Sequence, residues 1–156
     1  MVRRTVKGDL EQFTTPEGEA WGGFLAVHAT VTRELDADLR RQHGLSLSAY
    51  EVLLKLAWAP EGELRMTELA NQCLLTPGGI TRILDTLTAD GLVERRVPPE
   101  NRRVVLATIT DEGFALLQSA QRTHLAGVRR LFLRNLDKGT VDALGEVWRR
   151  IRASED

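Results

Sequence analysis

The chain has 156 residues, of which 42% are hydrophobic and 28% are charged, an ordinary composition for one soluble globular domain. The formal net charge is −1, so the chain as a whole gives no electrostatic argument for binding nucleic acid. A single cysteine, Cys73, excludes an intrachain disulfide, and the lack of a long apolar run and of a secretory signal predicts a cytoplasmic protein that does not enter a membrane.

A long helix is predicted near the amino terminus. Thr15 and Pro16 form a helix cap followed by proline at the first helical position, and Gly44 suits a left-handed helix end. The side chains on one stripe between these signals recur at helical spacing: Trp21, Phe24, His28, Val31, Leu35 and Leu39. A helix of roughly 40 Å over residues 16–43 must cover much of the core or pack against a second subunit.

Two short helices are predicted next. Residues 48–51, Ser-Ala-Tyr-Glu, fit a capping box and predict a helix that ends at Trp58. Thr67 is expected to cap a third helix over residues 68–74. A tight turn then leads to the next cap, which is the order of elements in a helix-turn-helix.

The fourth helix and the hairpin after it complete this pattern. Thr76 caps the helix and Pro77 occupies its first position, while Gly91 marks its end. Residues 92–97 and 104–109 are rich in β-branched side chains and flank a turn-forming segment, a pattern that predicts a β-hairpin.

Two more helices are predicted to close the chain. Thr110, followed by two acidic residues, caps the fifth helix, and Asp137 opens the last one. The fold class predicted is mainly α with a small β-hairpin wing, in a single domain of residues 1–156. Residues 46–110 form a winged helix-turn-helix lobe, and the terminal segments, 16–43 and 111–153, form long dimerisation helices.

The fourth helix is amphipathic and is the candidate recognition helix. Its apolar face, which packs it onto the lobe, carries Ile80, Ile83, Leu84 and Leu87. Its polar face carries Gly78, Gly79, Thr81, Arg82, Asp85 and Thr86. In a helix-turn-helix the first residues of the second helix reach base edges, the free N–H groups suit a phosphate, and the glycines allow a close approach of DNA to backbone. An ordinary solvated helix face is the alternative.

The predicted hairpin concentrates positive charge. Residues 92–103 hold four arginines against two glutamates, whereas residues 63–91 hold two basic and four acidic residues. Arginine at a projecting tip can enter the narrow minor groove, where the potential is most negative. A solvated run of charge is the alternative, but its position beside the candidate recognition helix favours DNA.

From Leu45 to about Leu117 the chain resembles the MarR family of bacterial regulators. The matching segments, in order, are LSLSAYEVLLKLA, RMTELANQCLLTPGGITRILDTLTADGLVERR and ENRRVVLATITDEG. The resemblance implies a symmetric, triangular homodimer that joins through the terminal helices and binds a pseudo-palindromic operator in double-stranded DNA. Many relatives are repressors released by a small phenolic or anionic ligand, and some are released by cysteine oxidation.

The candidate DNA-binding residues follow from the helix, the hairpin and the resemblance together: Thr76, Pro77, Gly78, Gly79, Thr81, Arg82, Arg95, Arg102 and Arg103. Where the family has Asp-Pro-x-Asp-Arg-Arg at the wing tip, residues 98–103 read Pro-Pro-Glu-Asn-Arg-Arg. The minor-groove arginine maps to Arg102, with Arg103 alongside. Both aspartates that would brace the tip are missing, and Asn101 and Glu100 are the candidates to replace them.

In this family the ligand pocket lies between the dimer helices and the DNA-binding lobe. Six aromatic or histidine side chains are predicted on or near those helices: Trp21, Phe24, His28, Tyr50, Trp58 and His124. Tryptophan and tyrosine combine an apolar face with a hydrogen-bonding group, which suits an aromatic acid, although core and interface packing is the alternative. No cysteine or carboxylate accompanies the histidines at ligand spacing, so no metal or cofactor is expected.

Three other functions are alternatives to ligand-controlled DNA binding. A redox sensor at Cys73 needs an exposed thiol of low pKa, whereas a buried free cysteine is usually a small apolar side chain. A winged helix can also serve as a protein-interaction module, which would have no salt-dependent affinity for duplex DNA. No nucleophile–base pair and no phosphate-binding loop is present, so no catalytic residue and no enzyme activity is expected.

Overall fold

The computed structural model describes residues 13–153. Residues 1–12, on which the expectation about a secretory signal rests, lie outside this range, as do residues 154–156. In chain order the helices and strands are α1 (Thr15–His43), α2 (Leu47–Trp58), β1 (Glu63–Arg65), α3 (Met66–Gln72), α4 (Pro77–Ala89), β2 (Val93–Arg96), β3 (Leu106–Ile109), α5 (Asp111–Leu131) and α6 (Lys138–Ala153). Short 3-10 turns occupy Pro60–Gly62 and Leu133–Asn135. The predicted fold class is confirmed, with one strand more than expected.

Two predicted helix caps are confirmed, one at the start of α4 and one at the start of α5. The Thr76 hydroxyl oxygen accepts a hydrogen bond from the Gly79 N–H at 3.1 Å, and that of Thr110 accepts one from the Gly113 N–H at 3.0 Å. Each satisfies one of the N–H groups that a helix start leaves without an internal partner.

The predicted starts of α1 and α2 are shifted. The cap of α1 is Thr14, one residue before the predicted Thr15. The predicted capping box at 48–51 is wrong, because Ser46 caps α2 and its hydroxyl accepts from the Ala49 N–H at 3.1 Å. The helix can begin earlier because the Asp36 carboxylate on α1 accepts the Leu47 N–H at 2.8 Å, a long-range bond that local sequence does not reveal.

The predicted cap of the third helix, Thr67, is also wrong. The α3 helix begins at Met66, directly after β1. The Met66 N–H donates to the Val105 carbonyl at 2.9 Å, and the Arg65 N–H donates to the Glu68 carboxylate at 3.3 Å. Pairing with the wing therefore fixes the start of α3, because no loop separates the last residue of β1 from the first residue of the helix.

The wing is a three-stranded antiparallel sheet with the order β1-β3-β2. In the hairpin, Val93 pairs with Ile109 and Arg96 with Leu106, so the predicted hairpin is confirmed with shorter strands. The added strand β1 places Glu63 opposite Thr108.

The core surrounds α2, which packs against the helix-turn-helix on one side and α5 on the other. The side chains at its centre are Tyr50, Val52, Leu53 and Leu56 of α2 with Leu69, Ile80, Leu84, Leu87 and Val93 of the lobe. The α1 helix joins this body through the buried Leu35 and Leu39, and packs mainly against α5.

The outer parts of the terminal helices carry little of this core. The first half of α1 is exposed, and α6 has no buried residue. Within residues 13–153, no helix is both long and apolar enough to cross a lipid bilayer.

Candidate nucleic-acid interface

The two faces of α4 differ as its periodicity predicts. Ile80, Leu84 and Leu87 are buried in the core. On the opposite side, the exposed residues are Pro77, Gly78, Thr81, Arg82, Asp85 and Thr86, and Gly79 is half-buried. The helix is thus fixed by one face and presents the other to solvent.

The start of α4 is an open surface. The Gly79 N–H is taken by Thr76, and Pro77 has no N–H to offer. Within residues 13–153, the Gly78 N–H is therefore the free donor of this first turn. A Cβ built at Gly78 would meet nothing within 4 Å, whereas one at Gly79 would lie 3.2 Å from the Thr76 hydroxyl. Gly78 therefore presents bare backbone to solvent. At Gly79, the missing side chain leaves room for the Thr76 hydroxyl that caps the helix.

The hydroxyl of Thr81 already donates a hydrogen bond within α4. It donates to the Pro77 carbonyl one turn earlier at 2.8 Å, as the Thr86 hydroxyl does to the Arg82 carbonyl at 3.2 Å. What Thr81 offers outward is a hydroxyl lone pair and a methyl group, which suit a base amino group and a thymine methyl.

Ion pairs hold the strands of the wing. Arg95 Nη1 lies 2.8 Å from Asp85 Oδ1 on the exposed face of α4. Arg96 binds both carboxylate oxygens of Glu63 at 2.9 Å, and the Thr108 hydroxyl donates to the same carboxylate at 3.0 Å. The hydrogen-bonded Arg96 guanidinium holds the pKa of the Glu63 carboxyl below its usual value. The hairpin is thereby fixed to both α4 and β1.

Asn101 braces the wing tip. Its side-chain oxygen accepts the Arg103 N–H at 3.1 Å, while its backbone closes turns with Pro98 and Val104, each at 3.1 Å. The bracing is applied to the backbone, and Pro98 is buried beneath the turn. Of the two candidate replacements for the family aspartates, Asn101 is therefore the one that braces the wing tip.

The tip arginines remain available. Arg102 and Arg103 are exposed, and across residues 13–153 neither guanidinium takes part in an ion pair. Arg95 and Arg96, in contrast, are both paired. The hairpin thus separates two anchoring arginines on its strand β2 from two arginines at its tip that are unpaired within residues 13–153.

The six predicted ligand residues do not form one site. Tyr50 and His124 stack with ring centroids 4.6 Å apart. On α1, the Phe24 ring lies 5.9 Å from Trp21, 6.1 Å from His28 and 5.5 Å from Trp148 of α6. Trp58 stands apart with 68% of its surface exposed, and its ring faces the Lys55 ammonium at 5.9 Å.

The Tyr50–His124 pair is the more buried of these sets. Tyr50 is 2% exposed, and burial raises the pKa of its hydroxyl. Burial also lowers the pKa of His124, whose Nδ1 is buried with no hydrogen-bond partner in the described part of the chain. A neutral imidazole between α2 and α5 can therefore accept or donate one further hydrogen bond.

The lowered pKa of His124 predicts a loss of stability in acid. Below about pH 6.5 the unfolded chain takes up a proton that folded His124 does not, so the free energy of unfolding falls. We expect the urea midpoint to fall less between neutral and mildly acidic pH in His124→Gln than in the wild type, at equal protein concentration. The same pH dependence in both proteins would contradict this assignment.

Cys73 is not placed as a reactive thiol. It ends α3 half-buried, and burial raises the pKa of its thiol, with a smaller effect of the same sign from Glu51. A raised pKa lowers the fraction of thiolate, which is the nucleophile. This environment does not favour the redox alternative.

Alkylation tests the Cys73 environment. Because the thiolate fraction is low and access is partial, iodoacetamide should modify Cys73 in the native protein at least several-fold more slowly than in the same chain unfolded in urea. Mass spectrometry over time at neutral pH measures both rates. Equal rates, or a faster reaction in the native protein, would restore the redox-sensing interpretation.

No metal centre emerges from the residues that the structure describes. None of their histidine, cysteine, aspartate and glutamate side chains form a group of three or more that could hold a metal ion.

The chain is similar to known transcription regulators in both sequence and fold. A sequence model of the MarR family matches residues 43–104. The transcriptional repressor YetL of Bacillus subtilis (strain 168) is 31% identical over 116 residues, covering 72% of this chain and 70% of YetL.

Two solved structures from Streptomyces coelicolor share the fold over most of their length. The MarR family regulator Sco3205, solved in complex with DNA, superposes with a TM-score of 0.86 at 29% identity, covering 93% of this chain and 91% of that one. The regulator AbsC superposes with a TM-score of 0.85 at 26% identity, covering 93% and 97%. The chain therefore belongs to the MarR family of winged helix-turn-helix DNA-binding transcriptional regulators.

Proposed function

We propose that the chain is a homodimeric repressor that binds a pseudo-palindromic operator in double-stranded DNA and is released by a small aromatic or anionic ligand. The observation that carries the DNA-binding part is the coupling of α4 to the wing. The Arg95–Asp85 ion pair links the hairpin to the exposed face of the helix, and the tip arginines form no ion pair within residues 13–153. The proposed groove-reading helix and the cationic tip thus lie on directly connected elements.

The residues of this interface have distinct proposed roles. Thr76, Pro77, Gly78 and Gly79 form the helix start that approaches a phosphate. Thr81 and Arg82 face base edges in the major groove. Arg102, with Arg103 beside it, enters the minor groove, and Arg95 orients the wing through Asp85.

The terminal helices support a homodimer. Large apolar side chains are exposed along them: Trp21, Phe24, Leu25 and Val27 on α1, Leu125 on α5, and Val141 and Trp148 on α6. An amphipathic helix with no buried residue, such as α6, gains little from folding onto its own chain. Contiguous exposed apolar surface of this kind usually marks a protein interface. A second copy covering it would hold two α4 helices at a fixed separation.

Selection of bound duplexes from the host genome tests the DNA-binding part. We expect two half-sites about one helical turn apart, two chains per duplex by sedimentation, and an affinity that falls steeply with salt. A monomer at micromolar concentration would contradict the dimer. Weak binding that is insensitive to salt would favour the alternative of a protein-interaction module.

The proposed effector site uses the aromatic and histidine side chains where α1, α2 and α5 approach the dimer interface. Tyr50 and His124 supply one stacked pair, in which the buried His124 Nδ1 has no partner within residues 13–153, and Trp21, Phe24 and His28 supply a separate aromatic set on α1. Trp58 is the weakest member because it lies exposed at the far end of α2. Titrating aromatic acids against the operator complex tests this part. Release by peroxide that Cys73→Ser abolishes would point to the redox alternative instead.

Gly78→Ala tests the close approach of DNA to α4. In the free protein the added methyl group meets open space, so the helix should gain up to about 1 kcal/mol. In the complex the same methyl group would separate backbone from DNA, and we expect operator affinity to fall about tenfold or more. Urea unfolding and fluorescence polarisation measure the two effects. A variant that is stabilised and binds as tightly as the wild type would remove Gly78 from the interface.

A further inference from the structure

The turn between α3 and α4 contains an unusual leucine. Leu74 has a φ of +53°, in the left-handed region that favours glycine. Its N–H donates to the Asn71 carbonyl at 3.2 Å, and the next N–H, of Leu75, donates to the Ala70 carbonyl at 2.9 Å. These two bonds define a helix end whose left-handed position is usually glycine. Leucine is therefore unfavourable for the backbone here.

The side chain of Leu74 gains nothing from the fold in return. It is 94% exposed, the largest exposure of any large hydrophobic side chain in residues 13–153. Its neighbours Cys73 and Leu75 are both half-buried against the core, so the turn is anchored on either side of it. The leucine is held outward at a fixed place.

That place adjoins the exposed start of α4. One residue separates Leu74 from the Thr76 cap, and the surface at Gly78 is open. A duplex bound at this helix start would therefore lie next to the turn that carries Leu74. An apolar group beside a groove-reading helix can contact the C5-methyl group of thymine or the carbons of a deoxyribose.

We propose that Leu74 is a DNA-contacting residue that packs against an apolar part of the operator, a thymine methyl group or a sugar, at the edge of the groove that α4 enters. This inference rests on the proposed DNA-binding function. It explains why a position suited to glycine carries a large exposed side chain, since residues in unfavourable backbone conformations cluster at functional sites.

Leu74→Gly separates this role from a structural one. Glycine relieves the backbone, so the urea midpoint should rise, whereas loss of the contact should weaken operator binding about three- to tenfold. Leucine carries no charge, so the dependence of affinity on salt should stay that of the wild type. A merely structural residue would make stability and affinity change in the same direction.

Operators with deoxyuridine in place of thymine identify the group contacted. A position at which this change weakens the wild type but not Leu74→Gly assigns the contact to a thymine methyl group. A weaker variant with no such position assigns it to the sugar.

Glu61→Gly is the matched control. Glu61 is the other non-glycine residue with a positive φ, +59°, among the described residues, and it lies before β1 rather than beside α4. We expect this variant to gain stability without losing operator affinity. If Leu74→Gly binds the operator as tightly as the wild type, the inference is overturned. If the wild type itself binds no duplex, the proposed function fails instead.

Discussion

Replacing Arg102 by alanine should weaken operator binding about tenfold near physiological salt, without a change in stability. The guanidinium is exposed at the wing tip and pairs with no carboxylate of residues 13–153, so its removal leaves none of those carboxylates without a partner. The turn that carries it is closed by Asn101 and the buried Pro98, which are untouched. The loss should therefore reflect a missing contact with DNA and not a distorted wing.

The salt dependence of the Arg102→Ala variant distinguishes its role from general electrostatics. An arginine that displaces a counterion contributes about one to the slope of log affinity against log salt, so the slope of the variant should be smaller by about one. Fluorescence polarisation at several salt concentrations measures this directly. Arg33→Ala is the control, because Arg33 is exposed on α1 and pairs with Glu34 of the same helix. Isotherms of variant and wild type that coincide at every salt concentration would exclude the role.

Local signals predicted most of the helices and several of their caps, including Gly44 at the end of α1 and Asp137, whose carboxylate accepts the Thr140 N–H at the start of α6. Proline after threonine at 76–77 and glycine at 44 and 91 act through their own backbone preferences, so their meaning does not depend on the rest of the chain. The buried face of α4 follows from spacing alone. For the same reason the exposed face, with Gly78 and Arg82, could be identified before any contact was known.

The parts that sequence could not predict depend on contacts between distant residues. The β1 strand has three residues, too few for an alternating pattern, and exists because it pairs with β3. Its Glu63 binds Arg96, 33 positions away, and no local signal marks that partner. The start of α2 moved for the same reason, since Asp36 of α1 takes its first N–H.

The aromatic set illustrates a second limit. Trp21, Phe24 and His28 share a helical stripe with Leu35 and Leu39, and periodicity treats all five alike. In the structure only the two leucines are buried, because α5 runs along that half of α1 and the other half extends beyond it. Helical spacing predicts which side chains share a face, but not how far along that face a neighbour extends.

Gly113→Ala should destabilise the protein by about 3 kcal/mol or more, the largest stability effect that we predict. Gly113 is buried in the first turn of α5, and a Cβ there would overlap the Leu92 carbonyl oxygen and lie 3.0 Å from Ile109 Cγ1. A backbone carbonyl cannot rotate away as a side chain can. It also accepts the Thr110 N–H at 3.1 Å, so moving it breaks the bond where β3 enters α5.

Gly78→Ala is the matched control for this prediction. It places the same methyl group in the first turn of α4, in open space, and should raise the urea midpoint where Gly113→Ala lowers it. Because the Leu92 N–H also donates to the Leu87 carbonyl at the end of α4, at 2.8 Å, displacing Leu92 should disturb the recognition helix and the wing together. Operator affinity should therefore fall with stability in Gly113→Ala. A Gly113→Ala protein as stable as the wild type would mean that the lobe can move relative to α5 at no cost, and that this junction does not hold the wing in place.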